Sequence, residues 1–509
     1  MPISTVVLKA QPGIKRDGTK FDGDFYTDGQ WVRWQRGLPR KIGGYRSVSK
    51  YLTELSRGFT AYAMNGDVYC HSGGTSVLER FIVDSNKNSS VISDRTPTGI
   101  TASAYNKWMF ETIYDSSTTE NMLIAHVAPN NNFTSNDTGG QVFAGDLSTT
   151  AALTAVALPV GANATGGIVA LHPYLFYYGT AGIVGWSVAG TPTDMTAAGS
   201  GVARVWGQKI IKGLPLRAGA GSAPAGIFWA YDAVIRATFT GGSTVFQFDT
   251  LASDSSIMSA DGVVDFDGVF YWAGVDRFLM FNGVVREIPN TMNTNWFFDG
   301  LNQAYRAKVF AFKVPRYGEI WWCYPRGDAT ECSHAVIFNV RENSWYDTTL
   351  PADGRSAAAY ANSFSAPIIT SATVDTSGYK VWIHEQAQDE IDGTMIAPID
   401  SYFETCDISA VATKGQNNRL RITAIEPDFI QSGNMTVQVI GRANARAPEV
   451  YGTEITFPDA ATQPYEEIVV LKEQRRELRV KFRSNVIGGD YQMGQIMAHL
   501  DTGDGTVLG

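Results

Sequence analysis

From Asp261 to Pro289 the chain reads DGVVDFDGVFYWAGVDRFLMFNGVVREIP, short apolar runs cut by Phe266-Asp267-Gly268, by Ala273-Gly274-Val275-Asp276 and by Asn282-Gly283. Apolar runs of this length broken by Asp-Gly and Asn-Gly pairs predict tight antiparallel reversals, because those pairs tolerate the positive φ of two-residue hairpins. The unit they compose is a four-stranded meander, the building block of a β-propeller. Similar hairpin patterns occur at 58–74, around Asn65-Gly66-Asp67, and at 168–190, 226–251, 307–327 with 334–350, and 355–386. Aromatic pairs mark many of them: Tyr177-Tyr178, Phe228-Trp229, Tyr271-Trp272 and Trp321-Trp322. Their spacing of about 45–50 residues is that of propeller blades. A sandwich or barrel would use the same strands with less regular spacing. Helical periodicity is almost absent.

The texture changes near Asp389. An acidic connector, 385–398, leads to the long alternating stretches 417–443 and 475–505, which read as antiparallel strands with one wet face. The expected fold is therefore all-β, in three parts. Residues 1–57 form an extended basic N-terminal arm, 58–386 a propeller-like body and 387–509 a C-terminal antiparallel β domain. Residues 86–165, rich in Ser, Thr, Asn, Gly and Ala, are expected to be a loop-rich insertion with short strands at 106–115 and 121–128.

Composition narrows the function. The chain has 509 residues, 18% charged, with 51 Gly and a net charge of −9, which suits strands and turns better than coiled coil or disorder. Residues 1–60 carry +6 and the remainder is acidic, which is not the broad basic face of a nucleic-acid reader. The four cysteines are scattered without a CxxC, so thiols are expected rather than a zinc ribbon or a disulfide framework. No apolar leader or membrane-length run is read, and synthesis as a soluble protein in a cytoplasm is expected.

Catalytic motifs fail in identifiable ways. Gly13-Ile-Lys-Arg-Asp-Gly18-Thr19-Lys20 reverses the last two letters of a phosphate-binding loop, so its lysine and hydroxyl would miss phosphate and metal. Gly219-Ala-Gly221 is followed by Pro224, not a helix, and Gly185-Trp186-Ser187-Val188-Ala189 lacks the final Gly of a nucleophile elbow. The six histidines are isolated. Asp261, Asp265, Asp267 and Asp276 could supply a glycosidase pair, but Asp beside Gly is favoured in turns by its bond to nearby backbone. No catalytic residue, metal or cofactor is expected.

Two regions and the chain's close carry a resemblance. FYTDGQWVRWQRGLPRKIGGYRSVS (25–49) resembles the N-terminal signature of tail proteins of short-tailed bacteriophages. The 261–297 stretch with GEIWWCYP and NSWYDTTLP is similar to their central portion, and Arg475–Arg479 with Met493–Ile496 to their ending. The resemblance covers most of the chain, weakly between 86 and 165. It implies the tail nozzle, or packaged-DNA stabilisation, family: a propeller-based homo-hexameric ring below the portal and adaptor proteins of the virion. DNA would pass without sequence-specific binding, and a tail needle, fibres or the host surface could lie at the distal end. An acidic wall fits that role, since neutralised phosphates would add drag. A glycan-degrading propeller enzyme and a receptor-binding tail module are the rival expectations.

The arm combines Tyr26, Trp31, Arg33, Trp34, Arg36, Arg40 and Lys41. Read as a strand, it puts Trp31, Arg33 and Gln35 on one side and Val32, Trp34 and Arg36 on the other, so both sides hold a Trp and an Arg. That mixture is enriched at interface hot spots, and these seven residues are the candidate assembly interface. The alternative is a strap packed on the chain's own propeller.

Overall fold

The 261–289 stretch folds as its pattern predicts. Val263–Phe266, Val269–Ala273, Phe278–Phe281 and Val285–Glu287 pair in sequence order as one antiparallel sheet. Its first reversal puts Asp267 and Gly268 at φ 52° and 82°, the left-handed pair that a two-residue hairpin requires. This computed structural model describes residues 4–20, 24–100, 103, 107–128, 139–162, 164–216, 223–242, 244–408, 419–444, 446–459 and 468–502. Strands account for 54% and helices for 4%, which makes the chain all-β.

Among the described residues, six four-stranded meanders follow one another and a seventh, wider sheet completes the series. Blade 1 begins at Phe59–Met64, blade 2 at Lys107–Asp115, blade 3 at Gly167–Leu171 and blade 4 at Ile210–Pro215. Blade 5 is the sheet just described, and blades 6 and 7 begin at Phe310–Val314 and Ala357–Ala361. One cavity is lined from the first strand of all seven, by Thr60, Glu111, Ile168, Lys212, Val263, Ala311 and Ala358. The sheets therefore surround a common axis as a propeller. Large aromatics fill the layers between blades. Trp229 of blade 4 packs on Phe270 and Trp272 of blade 5, and Phe278 of blade 5 on Trp322 and Trp345 of blade 6. Trp272, Trp321 and Trp322 are all buried.

Blade 7 is closed from outside its own stretch of sequence. Its fourth strand is Tyr45–Leu52, which precedes blade 1 and pairs antiparallel with Gly378–His384. Glu390–Asp392 then adds to that strand in parallel and turns back as Met395–Ala397, leaving a six-stranded sheet.

The remaining strands form a second unit that draws on both ends of the chain, here called the clamp. Ser4–Leu8 pairs with Ile496–Thr502, Asp28–Gln30 with Ser401–Glu404, and Leu38–Lys41 with Asp490–Met493. Each of the clamp's three larger sheets thus contains strands from before Tyr45 and from after His384. The chain passes from clamp to propeller at Gly44, where only a glycine fits. A Cβ at that position would collide with the Asp389 backbone as the two segments cross.

Three sequence expectations change. Residues 1–57 are not a free arm: 4–41 supply clamp strands and 45–52 complete the propeller. The 387–509 segment is not a separate domain, because its sheets are filled by the chain's beginning. The 86–165 stretch is no insertion: Lys107–Asp115, Glu120–Ala128, Gln141–Asp146 and Thr154–Ala155 are blade 2. Trp108, Leu123, Ile124, Val127 and Phe143 are buried there, so the stretch has a core that its polar composition conceals. Among the described residues, no helix is long and apolar enough to cross a membrane.

Candidate functional site

Among the described residues, two of the buried polar clusters bear on the candidate functions. The first is the propeller axis. Its cavity of about 190 Å³ holds Glu111 on the first strand of blade 2 and Lys212 on that of blade 4, with Asp261 just ahead of blade 5. First strands run along the axis, so alternate side chains point into it, and three positions far apart in sequence converge there. Lys107 forms an ion pair with Asp261. Burial pushes the Glu111 carboxyl up to about 7 against the pull of Lys212. Burial also opposes the Asp261 charge, but Lys107 and Lys212 outweigh it and hold that carboxyl below its ordinary value. One acid is thereby poised near neutrality beside another that stays ionised, the pairing that general acid–base chemistry uses. The volume is small beside the roughly 300–1,000 Å³ of ordinary ligand pockets.

The second place is the strap, where the candidate interface residues lie. Val32–Gln35 and Leu38–Lys41 form a hairpin whose turn residues Arg36 and Gly37 sit at φ 56° and 74°. Tyr26, Trp31, Arg33, Trp34 and Lys41 are buried in the chain's own core. Trp31 packs edge-on against Trp321 with ring centres 6.1 Å apart, and Trp34 lies tilted against Tyr346 at 5.1 Å. Arg33 Nε lies 2.9 Å from Glu319 Oε1, and Arg33 Nη1 donates to Glu385 Oε2 at 3.0 Å. Its guanidinium also lies 3.7 Å from the ring centre of Tyr317. Glu319 accepts from Tyr346 Oη at 2.6 Å and from Trp321 Nε1 at 2.9 Å. Burial works against the Arg33 charge, but Glu319 and Glu385 outweigh it and keep the guanidinium protonated. Lys41 Nζ donates to the Gly489 carbonyl at 2.7 Å.

Five of the seven candidates are therefore buried within one chain, and three of them, Trp31, Arg33 and Trp34, join the clamp to blade 6 of the propeller. Arg36 is exposed, and Arg40 is partly so, donating to Gln35 Oε1 at 2.8 Å. The strap alternative describes this segment, for a physical reason: the acids that a basic segment seeks stand on blade 6 and just after the Gly378–His384 strand of blade 7.

The carboxylates of blade 5 are placed as turn residues. Asp265 Oδ1 accepts from Gly268 N at 2.9 Å, Asp267 occupies the turn, and Asp276 pairs with Arg277 at 3.2 Å. Asp261 alone of that group reaches the axis. Glu111 and Lys212 were missed, since each lies alone in a run of uncharged residues, Glu111 between Trp108 and Tyr114 and Lys212 between Ile210 and Pro215; those lone charges were the available signals. All four cysteines are buried free thiols, and among the described residues no group of three or more His, Cys, Asp or Glu could hold a metal ion.

No family model matches the chain, and no curated protein matches it either.

Proposed function

We propose that this chain is a structural subunit of a short bacteriophage tail, a nozzle that forms a ring below the portal and adaptor, retains packaged DNA and conducts it during ejection. The observation that supports it best is the interlock of the chain's two ends around the propeller. The 25–49 stretch that carries the resemblance forms clamp strands and the closing strand of blade 7, and within 475–496 the strand Asp490–Met493 pairs with Leu38–Lys41 while Glu477–Ser484 joins the sheet of Asp28–Gln30 through Ser401–Glu404. A wall under load from confined DNA needs this kind of closure, since neither end can peel away without breaking a sheet. The axial cavity is far too small for a duplex, so DNA runs through the opening of a ring of copies, against subunits of net charge −9. Imaging of purified protein tests this. Rings with an opening wide enough for a duplex are the expected result, and monodisperse monomers at high concentration would overturn it.

A second reading rests on Glu111 and Asp261, a raised and a lowered carboxyl in one cavity, as in a glycan-cleaving propeller. Its test is hydrolysis of surface glycans by the wild type that disappears in Glu111→Gln.

A further inference from the structure

Three hairpin turns meet at one end of blade 6. They are the strap turn at Arg36 and Gly37, the turn at 315–318 that joins Phe310–Val314 to Glu319–Tyr324, and the turn at 340–343 that joins His334–Asn339 to Ser344–Thr349. Hydrogen bonds tie them together. Glu342 accepts from Arg36 N at 2.9 Å and from Gly37 N at 3.0 Å. Val340 N donates to the Gly318 carbonyl at 2.7 Å, and Asn339 Nδ2 to the Tyr317 carbonyl at 3.2 Å.

These turns gather arginine. Arg36, Arg316 and Arg341 are exposed, and Arg40 is half-buried beside them. The guanidinium groups of Arg40 and Arg316 lie 5.8 and 5.3 Å from the ring centre of Tyr317, and Arg341 Nη1 donates to the Arg316 carbonyl at 2.8 Å. Among the described residues none of these four arginines pairs with a carboxylate, whereas Arg33 on the same hairpin pairs with two. Glu342 is the one acid in 36–40, 315–318 and 340–343, and both its carboxylate oxygens are taken by backbone N–H groups of the strap turn. Four like charges are thus held together on a chain of net charge −9. An anion laid across them relieves their mutual repulsion.

We propose that this arginine cluster binds the phosphate backbone of duplex DNA without reading its sequence. Guanidinium forks match phosphate oxygens two at a time. Turns at the end of a sheet reach a backbone, whereas base edges are read by an element laid in a groove. An acidic protein would offer carboxylates to the same forks, but protein interfaces are built around an apolar core. None of the exposed large apolar side chains among the described residues lies in these turns. The site rests on the nozzle reading above and deepens it: a few phosphate contacts in each subunit supply the grip for retention, while the acidic remainder leaves the duplex free to slide.

The experiment titrates full-length protein onto a fluorescent duplex of arbitrary sequence and follows anisotropy across a range of salt. Arg36→Ala/Arg341→Ala is compared with the wild type and with Arg204→Ala/Arg421→Ala, which removes the same charge from exposed positions on blade 3 and the clamp. With four phosphates neutralised per subunit, wild-type affinity should fall with about the third to fourth power of salt concentration. The cluster variant should bind roughly tenfold more weakly at low salt and lose about two from that exponent. The control pair should match the wild type, and all three should share one circular-dichroism spectrum. Equal weakening in both variants, or no binding by the wild type at low salt, overturns the site. Displacement of the duplex by poly-glutamate at equal charge assigns the cluster to an acidic protein instead and also overturns it. Light scattering after size exclusion separates this outcome from the ring reading. A ring that binds no duplex overturns the site alone, and a monomer whose duplex binding is lost in the cluster variant overturns the ring alone.

Discussion

The propeller and the clamp are made from the same kinds of strand and differ in how far each strand must reach for its partner. A propeller blade pairs neighbours in sequence: Phe59–Met64 meets Asp67–Gly73 across a turn of Asn65 and Gly66. A clamp sheet pairs Ser4 with Leu500, and Gln492 with Arg40. Loop closure makes the second kind entropically costlier to nucleate, so blades can form early while the clamp waits for the whole chain. Where the two units meet, they share a buried network of charge and tryptophan that neither could satisfy alone.

Deletion of residues 1–44 should have the largest effect, because it removes a strand from all three of the larger clamp sheets. The expected outcome is loss of a native thermal transition for the clamp. A truncated protein that melts at the wild-type temperature would break the distinction between the units. Next comes the network at their boundary. Arg33→Ala leaves Glu319 and Glu385 facing each other in the core and should cost about 3–5 kcal/mol in denaturant unfolding. Trp321→Ala should cost a similar ~3–5 kcal/mol through cavity formation. Arg36→Ala, on the exposed turn of the same hairpin, should stay within about 0.5 kcal/mol.

A smaller effect sharpens the view of the propeller axis. The Glu111 carboxyl is raised from 4.5 to about 7 in the folded chain, so the fold favours its neutral form. The stability it contributes is fully present below the unfolded value and is lost as pH rises through the folded one. Glu111→Gln should therefore leave the melting temperature unchanged below about pH 4.5, raise it increasingly between there and about 7, and raise it most on the alkaline side of neutrality; an equal change at all pH values would reject this account. The smallest effect is expected in the blade 5 turns. Asp265→Asn/Asp267→Asn/Asp276→Asn should cost about 1 kcal/mol or less, since Asn also tolerates these turn positions.

The sequence carried the blades well because their information is local. Alternation marks the strands, Asn65-Gly66 and Asp267-Gly268 mark reversals, and Trp272, Trp321 and Trp322 mark the packed layers. It carried the clamp poorly because nothing in 25–44 states that its partners lie beyond residue 400. Arg33 misled for a related reason. Arginine is rarely buried without a matching acid, and the acids here, Glu319 and Glu385, lie 286 and 352 residues away. The axial group was hidden in the same way, scattered over blade 2, blade 4 and the approach to blade 5.

The closing strand of blade 7 also sets a schedule for biosynthesis. Tyr45–Leu52 leaves the ribosome before any blade, yet its partner Gly378–His384 appears more than three hundred residues later. At the usual ~5–20 residues per second, the strand waits on the order of tens of seconds with open edges. Blades 1 to 6 can form during that interval, so an incomplete circle with an unpaired strand is the species that chaperones would meet. Slow decoding or a pause within 353–384 should therefore lower the yield of native protein more than an equal pause within blade 3.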